Sequence, residues 1–122
     1  MLLWYPALDF MDTSFTYFFT PEMQTFFTDN GYLGEEGFKF GPEFREQILE
    51  VTVYKQVAKI ICPTLFLHGD KDEEVPCQQS KKAFDLVKGE KEIHIVKGAE
   101  HCFPGYHDEA IEKTLAFLKK YF

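Results

Sequence analysis

The chain has 122 residues, 45% of them hydrophobic, which suits one small domain with a single core and is too apolar for a disordered segment. Acidic residues outnumber basic ones 20 to 13, a net charge of −7 without any basic run, which argues against nucleic acid or an anionic membrane as partner. The longest apolar stretch, Met1 to Leu8, falls far short of the roughly 20 residues needed to cross a bilayer. It also lacks the basic flank and small-residue cleavage site of a signal peptide.

In chain order, Leu2–Tyr5 is an apolar run stopped by Pro6 and reads as a buried strand. Between Asp9 and Gly41 the chain is dense in Phe without a clean period, so short helices joined at Gly31, Gly34 and Gly37 are expected. Pro42 suits a first helical position, with Glu43 and Glu46 in the first turn. Phe44, Ile48 and Val51 then line one face, and Lys55 marks the wet end. Thr64–His68 reads as a second buried strand and Gly69–Val75 as a sharp acidic loop. Pro76 opens a helix through about Lys88 that buries Ala83, Phe84 and Val87 and ends at Gly89. Glu92–Val96 is a third strand, and Gly98 begins a loop. Asp108 is placed to cap a last helix, which buries Ile111, Leu115 and Leu118 and exposes Glu109, Glu112, Lys113, Lys119 and Lys120.

Strands alternating with helices imply an α/β fold with a parallel sheet and right-handed crossovers. Cys62, Cys77 and Cys102 are odd in number and form no C-x-x-C, which points to a reducing compartment, most simply the cytoplasm. Each is expected to be a small buried hydrophobe. No metal-ligand cluster stands out, and no metal or organic cofactor is implied.

In an open α/β sheet the working residues sit on loops beyond the carboxyl ends of the strands. Two loops qualify: His68 to Pro76, and Gly98 to Phe103. Adjacent parallel strands bring both to one edge, where an Asp on one can fix the tautomer of a His on the other. The segment Cys62-Pro63-Thr64-Leu65-Phe66-Leu67-His68-Gly69-Asp70-Lys71-Asp72-Glu73-Glu74-Val75-Pro76 resembles the acid loop of α/β-hydrolases. Ile93-His94-Ile95-Val96-Lys97-Gly98-Ala99-Glu100-His101-Cys102-Phe103 resembles their histidine loop, and Leu3-Trp4-Tyr5-Pro6-Ala7-Leu8-Asp9 resembles their sixth strand. The nearest likeness is to the serine aminopeptidase-like and feruloyl- or cinnamoyl-esterase-like hydrolases.

That resemblance implies a truncated α/β-hydrolase fold over residues 1–122: the last three parallel strands of the family's sheet, flanking helices, and an aromatic helical cap over residues 9–59. It makes Asp72 the triad acid and His101 the general base. Asp70 is the nearest rival for the acid, with Asp9 and Asp12 weaker ones. A solvated acidic turn is the plain alternative for Asp70, Asp72, Glu73 and Glu74. A calcium loop fails because Val75 stands where that motif needs Gly. His68 reads as a strand-end structural residue, His94 as facing the opposite side of the sheet from Ile93 and Ile95, and His107 as exposed at the start of a helix.

The family's nucleophile sits in G-x-S-x-G, which is absent here; Ser14 and Ser80 lack flanking glycines. The first five strands of the family's sheet are absent as well. The chain is therefore expected to be nearly inert toward esters by itself, and a small acyl or aryl ester is a substrate only if a nucleophile-bearing half completes the site. A decayed gene product, a fragment and one half of a split esterase all fit. A non-catalytic interaction module is the other reading. Leu2–Tyr5 as an exposed edge strand implies self-association, most simply as a two-fold homodimer.

Overall fold

The computed structural model describes residues 1–13, 20–32, 39–41, 43–44, 47 and 53–122. The helix expected from Pro42 over Ile48 and Val51 lies largely outside the described residues, as does Ser14.

Strands β1 (Leu2–Trp4), β2 (Thr64–Gly69) and β3 (Lys91–Val96) form one parallel sheet in the order β1-β2-β3. Leu2 stands beside Leu65, and Thr64 beside Lys91. All of β2 is buried, which accounts for its unbroken apolar run: a central parallel strand is covered on both faces. Its side chains alternate. Leu65 and Leu67 pack with Val96, Ala99, Phe103, Ala110 and Phe117 on one face. Phe66 packs with Val57, Ala83 and Val87 on the other. Among the described residues β1 lies at an edge of the sheet, as expected of Leu2–Tyr5 without the family's first five strands; Leu2 is 40% exposed, so the run is not buried throughout.

The described helices are α1 (Pro21–Asn30), α2 (Tyr54–Val57), α3 (Gln78–Leu86) and α4 (His107–Tyr121), with a 3-10 turn at Phe10–Asp12. Thr20 caps α1 through its hydroxyl, and Gly31 ends it in the left-handed region. α3 starts two residues after Pro76 and stops at Leu86. Val87 is already extended and turns its side chain into the core, so Gly89 lies beyond the helix and does not cap it.

The last helix presents a different face from the one read in the sequence. Ala110 and Phe117 are buried against the sheet and Tyr121 packs beside them, while Ile111 and Leu115 are 46% and 50% exposed. The Trp4 indole N–H donates to the Thr114 hydroxyl at 3.0 Å, which fixes this rotation. Ala110 is small enough to let the helix lie close on β2 and β3. Asp108 falls within the first turn, and Tyr106 is the cap residue, with no side-chain cap bond. Of the three cysteines only Cys77 is buried. Cys62, in the turn before β2, and Cys102, on the loop after β3, are exposed, and all three are free.

One long-range clamp had no signal in the sequence. Gln79 of α3 is 1% exposed and reaches back to the segment after β1. Its Oε1 accepts from the backbone N–H of Leu8 (2.7 Å) and Asp9 (2.8 Å), and its amide donates to the carbonyls of Asp9 and Asp12. All four hydrogen-bonding positions of the buried amide are thereby used. Among the described residues no helix is long and apolar enough to cross a membrane.

Candidate active site at the carboxyl edge of the sheet

The loops after β2 and β3 are laced together before any functional side chain is placed. The N–H of Asp70 donates to the Val96 carbonyl (3.2 Å) and that of Lys71 to the Ala99 carbonyl (3.0 Å). The Asp70 carboxylate accepts from the Gly98 N–H at 2.6 Å. Gly69 makes this contact feasible: a Cβ there would lie 2.1 Å from the Ala99 carbonyl oxygen. Asp70 is thus occupied as a brace between the loops.

Asp72 turns the other way, with its side chain fully buried. Its Oδ1 accepts from the backbone N–H of Glu74 (3.1 Å) and Val75 (2.8 Å), an Asx-type turn that fixes the carboxylate plane. Its Oδ2 lies 2.8 Å from His101 Nδ1 and 3.1 Å from His68 Nε2. The structure therefore brings Asp72 and His101 together, and places the strand-end residue His68 beside the same carboxylate. A carboxylate only accepts, so His101 Nδ1 carries the hydrogen and Nε2 keeps its lone pair. Among the described residues Nε2 of His101 has no hydrogen-bond partner, and the His101 side chain is 22% exposed. The ring is held at one nitrogen and open at the other among the described residues.

His68 is fully buried on the β2 face toward α3. Its Nε2 meets two acceptors, the Val75 carbonyl at 2.8 Å and Asp72, so Nε2 carries the hydrogen. Its Nδ1 lies 2.7 Å from Ser80 Oγ and accepts the hydroxyl hydrogen. Burial pushes His68 below the ordinary histidine value. The Val75 carbonyl and Asp72 favour the charged ring but do not outweigh that burial, and the imidazole is neutral at pH 7. Ser80, an interior residue of α3 with no exposure, is committed to this contact.

The backbone around His101 is unusual. Tyr5, Cys102 and Phe103 have φ of 38°, 61° and 58°, conformations non-glycine residues seldom adopt and which cluster at functional sites. The Tyr5 ring stands edge-on to the His101 imidazole, 4.8 Å between centroids, and also against Phe103 at 5.2 Å. Partial burial, reinforced by a hydrogen bond with the Cys102 side chain, raises the Tyr5 hydroxyl above its usual value. A cleft of about 390 Å³ opens beside His101, walled by Lys71, Glu73, Glu74, Gly98 and Glu100. The side chains around it are mostly charged, and their aliphatic stems supply apolar surface as well.

The remaining candidates lie elsewhere. Asp9 and Asp12 are on the segment clamped by Gln79. With burial as the larger cause, their charges raise the Tyr54 hydroxyl, and neither is a hydrogen-bond partner of His101. His94 faces α4, its Nε2 2.6 Å from Glu109, on the opposite side of the sheet from Ile93. His107 is the exposed first residue of α4. Among the described residues no group of three or more His, Cys, Asp or Glu is arranged to hold a metal.

An acid loop and a histidine loop meeting at the carboxyl edge of a parallel sheet find their counterpart in a known family. Residues 9–122 match the prolyl oligopeptidase family. The chain belongs to that family. Over 72 residues this prolyl oligopeptidase family member is 35% identical to isoprenylcysteine alpha-carbonyl methylesterase ICME of Arabidopsis thaliana, covering 56% of this chain and 16% of that protein. Over 69 residues it is 33% identical to the non-reducing polyketide synthase Preu3 of Preussia isomera, covering 52% of this chain and 3% of that protein. Among solved structures it is similar to Est1E of Butyrivibrio proteoclasticus with ferulic acid bound. There the TM-score is 0.67 at 24% identity, covering 75% of this chain and 36% of that one. A puromycin-hydrolysing peptidase of Mycobacterium tuberculosis gives a TM-score of 0.66 at 22% identity, covering 98% of this chain and 18% of that one. The chain therefore spans no more than 36% of any of these proteins. The structural likenesses establish the fold: an α/β-hydrolase fold, with three parallel strands and flanking helices among the described residues.

Proposed function

We propose that this chain supplies the acid and the base of a Ser-His-Asp triad for carboxylic-ester hydrolysis, with Asp72 as the acid and His101 as the base. The serine and the oxyanion donors come from a segment outside these 122 residues, and the chain alone is inert. The observation that carries the reading is the 2.8 Å hydrogen bond between Asp72 Oδ2 and His101 Nδ1, which leaves Nε2 free to take a proton. In such a site Nε2 would remove the hydroxyl hydrogen as the serine oxygen bonds to the ester carbonyl. The imidazolium, held by Asp72, would return that proton to the departing alcohol; a water activated the same way would release the acid. The substrate class is a small acyl or aryl ester. The free thiols suit a reducing compartment such as the cytoplasm.

The test adds a fluorophosphonate probe and a p-nitrophenyl ester to the pure chain, then to the chain combined with a G-x-S-x-G-bearing half. The pure chain is expected to stay unlabelled. The combination is expected to turn over ester, and Asp72→Asn is expected to lower kcat roughly 10⁴-fold, as reversing the hydrogen bond at the acid does in triad enzymes. Asp70→Asn keeps an oxygen for the Gly98 N–H and should cost less than about tenfold. Labelling of the pure chain, or turnover indifferent to Asp72→Asn, overturns the proposal. A second reading, a non-catalytic interaction module, draws on the outer edge of β1, unpaired among the described residues, and the exposed Leu2; a stable complex without turnover favours it.

A further inference from the structure

The base at His101 is only as well placed as the carboxylate that holds it, and that carboxylate has a second imidazole on the same oxygen. We propose that His68 is a positioning residue: as the neutral Nε2–H tautomer, set by Ser80, it locks Asp72 Oδ2 in the orientation that receives His101 Nδ1–H. The inference rests on the reading of Asp72 and His101 as acid and base.

The geometry supports this in three ways. First, His68 Nε2–H is shared between the Val75 carbonyl (2.8 Å) and Asp72 Oδ2 (3.1 Å), so one ring spans both ends of the Asp72–Val75 turn. Second, the tautomer is determined from outside the acid loop. Ser80 Oγ, at 2.7 Å on α3, donates to Nδ1 and leaves Nε2 as the donor. Third, His68 and the Asp72 side chain are both without solvent exposure, so water cannot substitute for a lost donor. Oδ1 is fixed by two backbone N–H groups of its own turn, whereas Oδ2 depends on two side chains. Removing His68 leaves His101 as the one remaining side-chain partner of Oδ2 and weakens the hold on that oxygen. The chain order Ser80, His68, Asp72, His101 is thus a relay of orientation from the interior of α3 to the exposed base. No proton need pass along it. The ionisable groups facing His68 are Asp72 from its own loop and, behind it, His101 from the neighbouring loop.

The test is imidazole ¹⁵N nuclear magnetic resonance on the isolated chain, with folding followed by backbone amide spectra. It needs no nucleophile, so a failure here is distinct from a failure to hydrolyse ester. In the parent, His68 is expected as the Nε2–H tautomer and His101 as Nδ1–H with a low-field hydrogen-bonded proton. His68→Leu removes the donor, and the Nδ1–H to Nε2–H ratio of His101 is expected to fall about tenfold, the worth of one hydrogen bond to a charged acceptor. His68→Gln, whose amide can occupy the Nε2 position, is expected to restore the ratio, which a merely space-filling role would not predict. A folded His68→Leu with an unchanged His101 signature overturns the proposal. So does a parent His68 in the Nδ1–H form or cationic at pH 7, a result that stands even where His68→Leu does not fold.

Discussion

Two histidines share one aspartate, and their environments set opposite tasks. His101 is partly exposed with a free nitrogen, while His68 is sealed in with both nitrogens used. Burial holds His68 below its ordinary value of 6.5, and this has a signed consequence for stability. Below about pH 6.5 the unfolded chain protonates this ring while the folded chain does not, so the unfolded state binds more protons and stability is lost as the pH is lowered. His68 therefore costs nothing above the unfolded value, and its penalty grows as pH drops toward the lower folded one. Thermal denaturation between about pH 8 and pH 5 should show the parent losing more Tm than His68→Gln, which does not titrate. Equal slopes for the two proteins would place the acid sensitivity elsewhere.

Among the elements, the two loops at the sheet edge are the rigid part of the site, and Gly69 is where that rigidity is most exposed to a single change. Gly69→Ala drives a methyl group to 2.1 Å from the Ala99 carbonyl oxygen, and the atoms it meets are all Ala99–Glu100 backbone, which cannot swing aside as a side chain would. Urea denaturation should show a loss of more than about 4 kcal/mol or no folded protein. Gly105→Ala, also in loop backbone (φ 78°) but with open space around the new methyl, should cost only about 1–2 kcal/mol. Similar losses at the two positions would mean that the loops are not in the close contact described. What the sequence disclosed follows the same division. β2, β3 and their loops were legible because short apolar runs, turn glycines and charged loop residues are local signals. The opposite orientations of Asp70 and Asp72 were not, since they depend on which loop backbone lies across from them. α4 was misread because it carries two apolar stripes: Ile111-Leu115-Leu118 is as regular as Ala110-Phe117-Tyr121. Only the sheet and the Trp4–Thr114 hydrogen bond choose between them. The clamp made by Gln79 and the partners of His68, itself expected as a strand-end structural residue, are not local signals, because those partners lie some 70 residues away or in a neighbouring helix.

At the scale of the whole molecule, the sheet is covered above and below but open along β1. β1 pairs with β2 on one side and with no strand on the other among the described residues, and Met1 and Leu2 are 45% and 40% exposed beside that edge. An open strand edge is a pairing template, and a two-fold axis along it would let two copies satisfy each other. Opposing this is the charge of −7 on each copy, which is screened by salt. The proposed homodimer through Leu2–Tyr5 should therefore form at micromolar concentration in size-exclusion chromatography with light scattering, and should tighten between low and moderate ionic strength. Leu2→Lys, a charge at the edge with little to lose from the core, should return it to monomer with stability within about 0.5 kcal/mol of the parent. A nucleophile-bearing half would have to continue the sheet from this same edge, so completion of the active site and self-pairing compete. Adding that half should dissolve the dimer in proportion to the ester turnover gained. A parent chain that remains monomeric at tens of micromolar in moderate salt removes the competition, and leaves the β1 edge to the proposed nucleophile-bearing half.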